Sequence, residues 1–246
     1  MKETLTALSL FAAASLPLTA GAAAYNVVDV SNGGSITGKV TFTGTDPAPK
    51  NFLITKDPET CGTGNREIDF VKVNNGALND AVVYLNKVPS GKAFPAELDQ
   101  AVLEQEGCEF KPFLGVMKNS EKLIVQSADP VLHNIHTYEI IGRAKKTVFN
   151  ISQPPELKTI TKTVTLKRGT AMKLECDAHD FMHGFTFVAK NPYFAVVNDD
   201  GTFTIGDVPP GDYTIKAWHG TLGEQKSTVN VSAGGKATID FQFQGR

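Results

Sequence analysis

The chain has 246 residues, with 24 Lys or Arg against 26 Asp or Glu and a formal net charge of −2. Acids and bases are spread along it in sequence, which argues against a nucleic-acid binder, where a basic patch or stripe is usual. A hydrophobic content of 41% suits a buried core, and the length suits one large or two small domains.

The opening run MKETLTALSLFAAASLPLTAGAAA reads as a secretory signal peptide over residues 1–24. Lys2 is a short basic start, Thr6 to Leu18 is largely apolar, and Ala22-Ala23-Ala24 offers an A-x-A cleavage site. The expected location is periplasmic, with no transmembrane segment in the mature chain. No cysteine follows the apolar stretch, so lipid attachment there has no support. An oxidising compartment favours disulfides, and three cysteines allow one bridge with one left over. Cys61 in DPETCGTG and Cys108 in EQEGCEF have no His or Met close by in sequence and read as bridge partners, although spacing does not settle the pairing. Cys176 is then the free thiol. An inert buried thiol is the bland alternative.

From residue 25 the chain reads as strands. SITGKVTF, DAVVYL, KLIVQS, TKTVTL, FTIGDV, YTIKAWH and ATIDFQF alternate or are rich in β-branched and aromatic residues. NNG, DDG, VPPGDY and SAGG punctuate them. PAELDQAVLEQEG, residues 95–107, has helical composition and reads as one short helix or a loop. The expected fold class is all-β, made of sandwiches or small barrels.

The tail from Asn191 carries DDGTF, where Asp200-Gly201 suits a turn with positive φ, and then VPPGDYTIKAW. It holds about five strands, thin for an independent sandwich. ITGKVTF near the start and DGTFTIGDVPPGDYTIKAW in the tail resemble the two ends of a carboxypeptidase-regulatory-like or rhamnogalacturonan-lyase-type β-sandwich, of immunoglobulin-like or prealbumin-like build. More than a hundred residues separate them. A second domain inserted between the halves is the expectation, and a tandem arrangement is the alternative.

The intervening region holds SADPVLHNIHTYEI, residues 127–140, and CDAHDFMHG, residues 176–184. Between His133 and Cys176 lie 42 residues. A site built this way takes His133 from one strand and Cys176, His179 and Met182, at i, i+3 and i+6, from one loop. Two imidazoles, a thiolate and a thioether form a soft set that suits copper, and His₂Cys with a long axial Met is the blue-copper arrangement. Zinc rarely uses Met, and catalytic zinc needs an open position. An iron–sulfur cluster needs more cysteines.

These motifs resemble the cupredoxins, most closely the amicyanin and pseudoazurin type. His133-Asn134-Ile135 stands where that family has H-N-V, and Cys176-Asp177-Ala178-His179-Asp180-Phe181-Met182 stands where it has C-x-x-H-x-x-M. CEFKPFLGVMKNSEKLIVQSADPVLHN resembles the strands leading to the first ligand. The resemblance implies a plastocyanin-like Greek-key sandwich over residues 101–190. It would lie between an N-terminal β segment, 25–100, and a C-terminal sandwich segment, 191–246, the latter completed by 32–90 if the copper domain is inserted. It implies one type 1 copper ion, with His133, Cys176 and His179 as equatorial ligands, Met182 as the weak axial one, and Asn134 tying the ligand loops together. Asp177 and Asp180 depart from the family loop, and acids beside the site would favour Cu(II). KNSE replaces the family's usual glycine turn.

His136 lies three residues beyond His133, so on a regular strand it faces the other side and reads as a surface histidine. His183 reads as an alternative axial ligand or as a loop-edge residue. His219 reads as a strand-end histidine beside core Trp218, with an electron route past both as the alternative. Met117 and Met172 read as core. The expected function is a periplasmic blue copper protein that passes single electrons between redox proteins such as periplasmic cytochromes, or a dehydrogenase or oxidase, with no nucleic-acid partner. No nucleophile–base pair or open metal site is evident, so an enzyme is not expected. The alternatives are copper carriage, which needs an exposed site, and carbohydrate or envelope binding through the second sandwich, which rests on fold resemblance alone.

Overall fold

The computed structural model describes residues 25–245. The signal-peptide reading of residues 1–24 lies outside the described residues. None of the described helices is long and apolar enough to cross a membrane. The chain is all-β, and its described residues form two β-sandwiches with separate cores.

One sandwich carries the His and Cys motifs. Its four-stranded sheet runs Phe110–Lys111, Gln100–Gln105, Glu121–Ser127, Thr159–Val164. Its five-stranded sheet runs Leu114–Lys118, His183–Ala189, Ala171–Glu175, His133–Ile141, Ala144–Gln153. Two pairings are parallel, Glu121–Ser127 with Gln100–Gln105 and Leu114–Lys118 with His183–Ala189. Parallel neighbours cannot be joined by a hairpin, so the chain crosses between sheets in Greek-key fashion. Met117 and Met172 are wholly buried here, with Leu123, Ile135 and Leu174.

Residues 95–107 do not form an α-helix. Ala96–Leu98 makes one 3₁₀ turn, and Gln100–Gln105 is a strand. Ala101, Leu103 and Gln105 turn inward while Gln100, Val102 and Glu104 face out. Pairing on both edges, with Phe110–Lys111 and Glu121–Ser127, outweighs the local helical preference.

The second sandwich takes strands that precede and follow the metal-motif strands in sequence. One sheet runs Phe194–Val196, Ala81–Asn86, Gly211–His219, Gly223–Val231. The other runs Thr202–Val208, Gly34–Thr43, Ala77–Leu78, Val73–Asn74, and Lys236–Thr238 and Phe241–Gln244 lie parallel along Gly34–Thr43. Gly201 has φ +81° and donates its N–H to Asn198 O, closing the DDG turn.

One part of residues 32–90 leaves this sandwich. The hairpin of Lys50–Leu53 with Asn65–Ile68, and the one-turn helix Pro58–Cys61 between them, packs on the metal-motif sandwich. Phe52 and Ile54 lie against that core, and Cys61 is bonded to Cys108. Arg66 from the hairpin donates to the carbonyls of Cys61 (2.8 Å), Gly107 (3.0 Å) and Cys108.

AVVYL in Ala81–Asn86 explains how the sandwiches join. Ala81, Val83 and Leu85 enter the second core, while Val82 and Tyr84 face outward and meet Phe185, Phe187 and Trp218. A strand covered on both faces is apolar throughout. Gly220 allows the close approach, since a Cβ there would stand 2.6 Å from the Phe185 ring.

His219 belongs to the second core and is 1% exposed. Its Nδ1 accepts the N–H groups of Thr221 and Leu222, both at 3.2 Å, and its ring faces Phe243. Burial pushes its pKa down to about 4 against an opposing pull from Asp80. The unfolded value is about 6.5, so the unfolded chain takes up the proton first. Stability from this group is therefore complete above about pH 6.5 and falls by about 3 kcal/mol as pH drops to about 4. Urea unfolding at pH 7 and pH 4.5 checks this. His219→Gln is expected to remove most of the His219 share of the difference between the two pH values.

Candidate metal centre

CDAHDFMHG leaves the strand Ala171–Glu175 in two tight turns. The His179 N–H donates to Cys176 O at 3.3 Å and the Met182 N–H to His179 O at 3.1 Å. This spacing turns Cys176, His179 and Met182 inward, at 4%, 1% and 1% exposure, and leaves Asp177 and Asp180 at the surface. His133 opens the strand His133–Ile141 on its inner face and is 0% exposed.

The ligand atoms of His133, Cys176 and His179 lie within 4.8 Å of one another. His133 Nδ1 is 3.3 Å from His179 Nδ1, and Cys176 Sγ is 3.7 Å from His179 Nδ1. The far side of each ring is held: His133 Nε2 is 2.8 Å from Asp129 Oδ2, and His179 Nε2 is 2.8 Å from Asp57 Oδ2. A carboxylate only accepts, so each neutral ring carries its proton on Nε2 and turns a bare lone pair toward the other ring. Two lone pairs at that distance repel unless a cation or a shared proton sits between them. Two imidazole nitrogens and a buried thiol sulfur on one point are a donor set that copper fits.

The charges around the centre are arranged to suit that use. Burial pushes the Cys176 thiol up, partly offset by the Asn134 N–H, which donates to Sγ at 3.3 Å. The thiol therefore stays protonated until a cation displaces its proton. Burial likewise holds His133 below the usual imidazole range, although Asp129 pulls the other way. Burial opposes a charge on Asp129, but the N–H of Cys108, the His133 ring and the N–H of Gly107 outweigh it and hold that carboxyl low.

Asn134 bridges the two motifs. Its Oδ1 accepts the Asp177 N–H at 3.2 Å and its Nδ2 donates to Asn150 at 2.6 Å. His136 points away from the centre, to Asp177 (3.0 Å), Tyr138 (2.9 Å) and Asn150 (3.1 Å). Asp177 is therefore spent on the outer face. Burial works against its charge, but hydrogen bonds from His136 and Asn150 prevail. The carboxylates that brace the two rings from behind are Asp57 and Asp129, not the loop acids. His183 packs between Phe52 and Phe70, with ring centroids at 5.0 and 5.3 Å, and joins none of the ligand groupings among the described residues. Trp218 lies in the interface cluster between the sandwiches and His219 in the second core, so neither abuts the centre.

The Cys61–Cys108 bridge lies against both histidines, with both sulfurs within ligand range of His179 and the Cys108 sulfur within range of the Asp129–His133 pair. Its sulfurs are bonded to each other, so they brace the site and are not thiolate donors. Sequence reasoning missed Asp57 and Asp129. Asp129 stands in SADPVLHN, four residues before His133 and just before a proline, where it passes for turn chemistry. Asp57 starts the helix Pro58–Cys61 from a left-handed conformation and makes no cap bond of its own, which frees its carboxylate for His179.

Residues 177–239, about a quarter of the chain, match the family model for polysaccharide lyase family 4, domain II. The match runs from the metal-motif loop into the second sandwich, and the model is not a carboxypeptidase-regulatory one. No curated protein matches the sequence. Among solved structures, amicyanin from Paracoccus versutus is similar at 18% identity, covering 39% of this chain and 84% of that one, with a TM-score of 0.31. A purple cupredoxin from Nitrosopumilus maritimus is similar at 15% identity, covering 36% of this chain and 99% of that one, with a TM-score of 0.30.

Proposed function

We propose that the chain is a type 1 copper protein that passes single electrons between redox proteins in a periplasm and catalyses no bond change itself. The observation that carries this reading is the facing pair of histidine Nδ1 atoms, each ring braced at Nε2 by a carboxylate, with the free Cys176 thiol beside them. His133, His179 and Cys176 would hold the ion, and Met182 would add the weak axial sulfur. Copper, when bound, supplies a one-electron couple.

The rest of the work falls to the protein's own groups. Asp129 and Asp57 fix the ring orientations, and the Asn134 N–H holds Sγ. Burial of all four side chains keeps water from joining the ligand set. Groups braced in this way change little between oxidation states, which favours fast transfer. The same burial weighs against copper carriage, because an exchangeable site needs a ligand within reach of a partner and none of the four exceeds 4% exposure. The second sandwich would orient the metal domain toward its redox partners.

The test is a visible spectrum of the protein with one equivalent of Cu(II), then ascorbate. An intense thiolate band should appear, bleach on reduction and return on reoxidation, and Cys176→Ala should abolish it. Copper that gives no such band and yields to a mild chelator would overturn the reading in favour of carriage.

A further inference from the structure

We propose that the cleft between the two sandwiches binds an acidic polysaccharide. It encloses about 1540 Å³, and its lining holds seven basic residues against a single acid, Glu224. Over the whole chain bases and acids nearly balance, 24 to 26, so this is segregation and not composition. Lys216 pairs with Glu224 at 2.7 Å. The other six, Lys50, Lys87, Arg143, Lys167, Arg168 and Lys190, have no salt-bridge partner among the described residues.

Both sandwiches and the hairpin contribute. Lys87 and Lys216 come from the second sandwich, Arg143, Lys167, Arg168 and Lys190 from the metal-motif sandwich, and Lys50 from the hairpin. The nearby acid Glu139 forms an ion pair with none of them among the described residues. It is 7% exposed and spends one carboxylate oxygen on the N–H groups of Arg168 and Gly169, which fixes the turn that presents Lys167 and Arg168. Lys190 is half-buried, and burial pushes its pKa down against an opposing pull from Glu139. A desolvated cation of this kind gains more from a bound anion than an exposed one does.

Shape and lining narrow the ligand. Small-molecule sites run to about 300–1,000 Å³, so this cleft suits an extended chain. Asn86, Thr170, Thr221 and Gln244 stand among the cations and offer neutral donors and acceptors for hydroxyl groups. A single-stranded nucleic acid would need aromatic faces for stacking. Of the five lining aromatics, Tyr84, Phe187 and Trp218 have theirs turned into the interface at 5%, 1% and 4% exposure, and the two partly exposed rings are engaged: Tyr25 packs edge-on against Phe94, and Phe70 packs against Phe52, Phe113 and His183 with Lys50 over its face.

Titration calorimetry of the full chain with a polygalacturonate oligomer tests this, at about 0.02 and 0.15 M salt. Binding is expected at both, weaker at the higher, and Arg143→Gln/Arg168→Gln should weaken it about tenfold or more. Both arginines are exposed and their side chains make no hydrogen bond or ion pair among the described residues, so the variant should fold. Unchanged affinity in that variant, or no binding at either salt, would overturn the cleft. A polyphosphate or single-stranded oligonucleotide of equal charge that binds as tightly as polygalacturonate would overturn the polysaccharide assignment. The thiolate band, recorded on the same samples, reports the copper reading separately, and loss of polysaccharide binding with the band intact counts against the cleft alone.

Discussion

Asp129→Ala is expected to lower copper affinity by about 10–100-fold and to destabilise the copper-free protein by about 3–6 kcal/mol. Asp129 is 5% exposed, and its carboxylate accepts from the Gly107 N–H at 2.7 Å, the Cys108 N–H at 2.8 Å and the His133 ring at 2.8 Å. Truncation orphans all three donors in a buried setting, at about 1–3 kcal/mol each if nothing relaxes. It also frees the His133 ring to turn its lone pair off the shared point. Asp57→Ala is the informative contrast. Asp57 braces His179 in the same geometry, but its side chain is 42% exposed and makes no cap bond for its helix. Its loss orphans one donor, the N–H of the buried His179 ring, at a position water can reach, so it should weaken copper binding while costing about 1 kcal/mol, well below the loss from Asp129→Ala. Competition with a chelator of known affinity, and urea unfolding of the copper-free variants, separate the two quantities. Equal stability losses in both variants would refute the assignment of Asp129 as a structural hub, and unchanged affinity in both would remove the carboxylates from the site.

The contrast also marks what the chain's linear pattern reveals. His133, Cys176, His179 and Met182 stand out because a strand residue and an i, i+3, i+6 loop are local patterns that the turns reproduce directly. The second sandwich stands out for a similar reason, since its hairpins carry their own turn chemistry. The braces do not stand out. Asp57 lies 122 residues from His179 in sequence, and the link between them runs through a disulfide whose pairing spacing alone leaves open. Nothing in Lys50–Ile68 says which sandwich it will cover. Its alternation suits a hairpin on either core, and Cys61 decides the matter by bonding to Cys108. Gln100–Gln105 misleads in the opposite sense. Its composition favours helix, and two long-range pairings override it.

Replacing the bridge, in Cys61→Ser/Cys108→Ser, should cost about 4 kcal/mol. The bridge spans 47 residues, and closing a loop of that length removes roughly this much free energy of chain entropy from the unfolded state. The hairpin then depends on Arg66, on its bonds to the carbonyls of Gly107 and Cys108, and on Phe52 packed against His183. Those contacts are weaker than a covalent tie, so the hairpin should open more often than the sandwich unfolds. Each opening would carry Asp57 off His179 and expose that ring's edge, which is 1% exposed in the closed state. Copper release to a chelator should therefore quicken in the bridge variant by more than the Asp57→Ala change alone produces, while the copper-free stability falls by the entropic amount. Stopped-flow chelation against both variants distinguishes the cases. A release rate equal to that of Asp57→Ala would mean that the metal-motif sandwich closes over His179 unaided. A faster one would make the hairpin the cover of the centre, and the reason His133, Cys176 and His179 lie so deep.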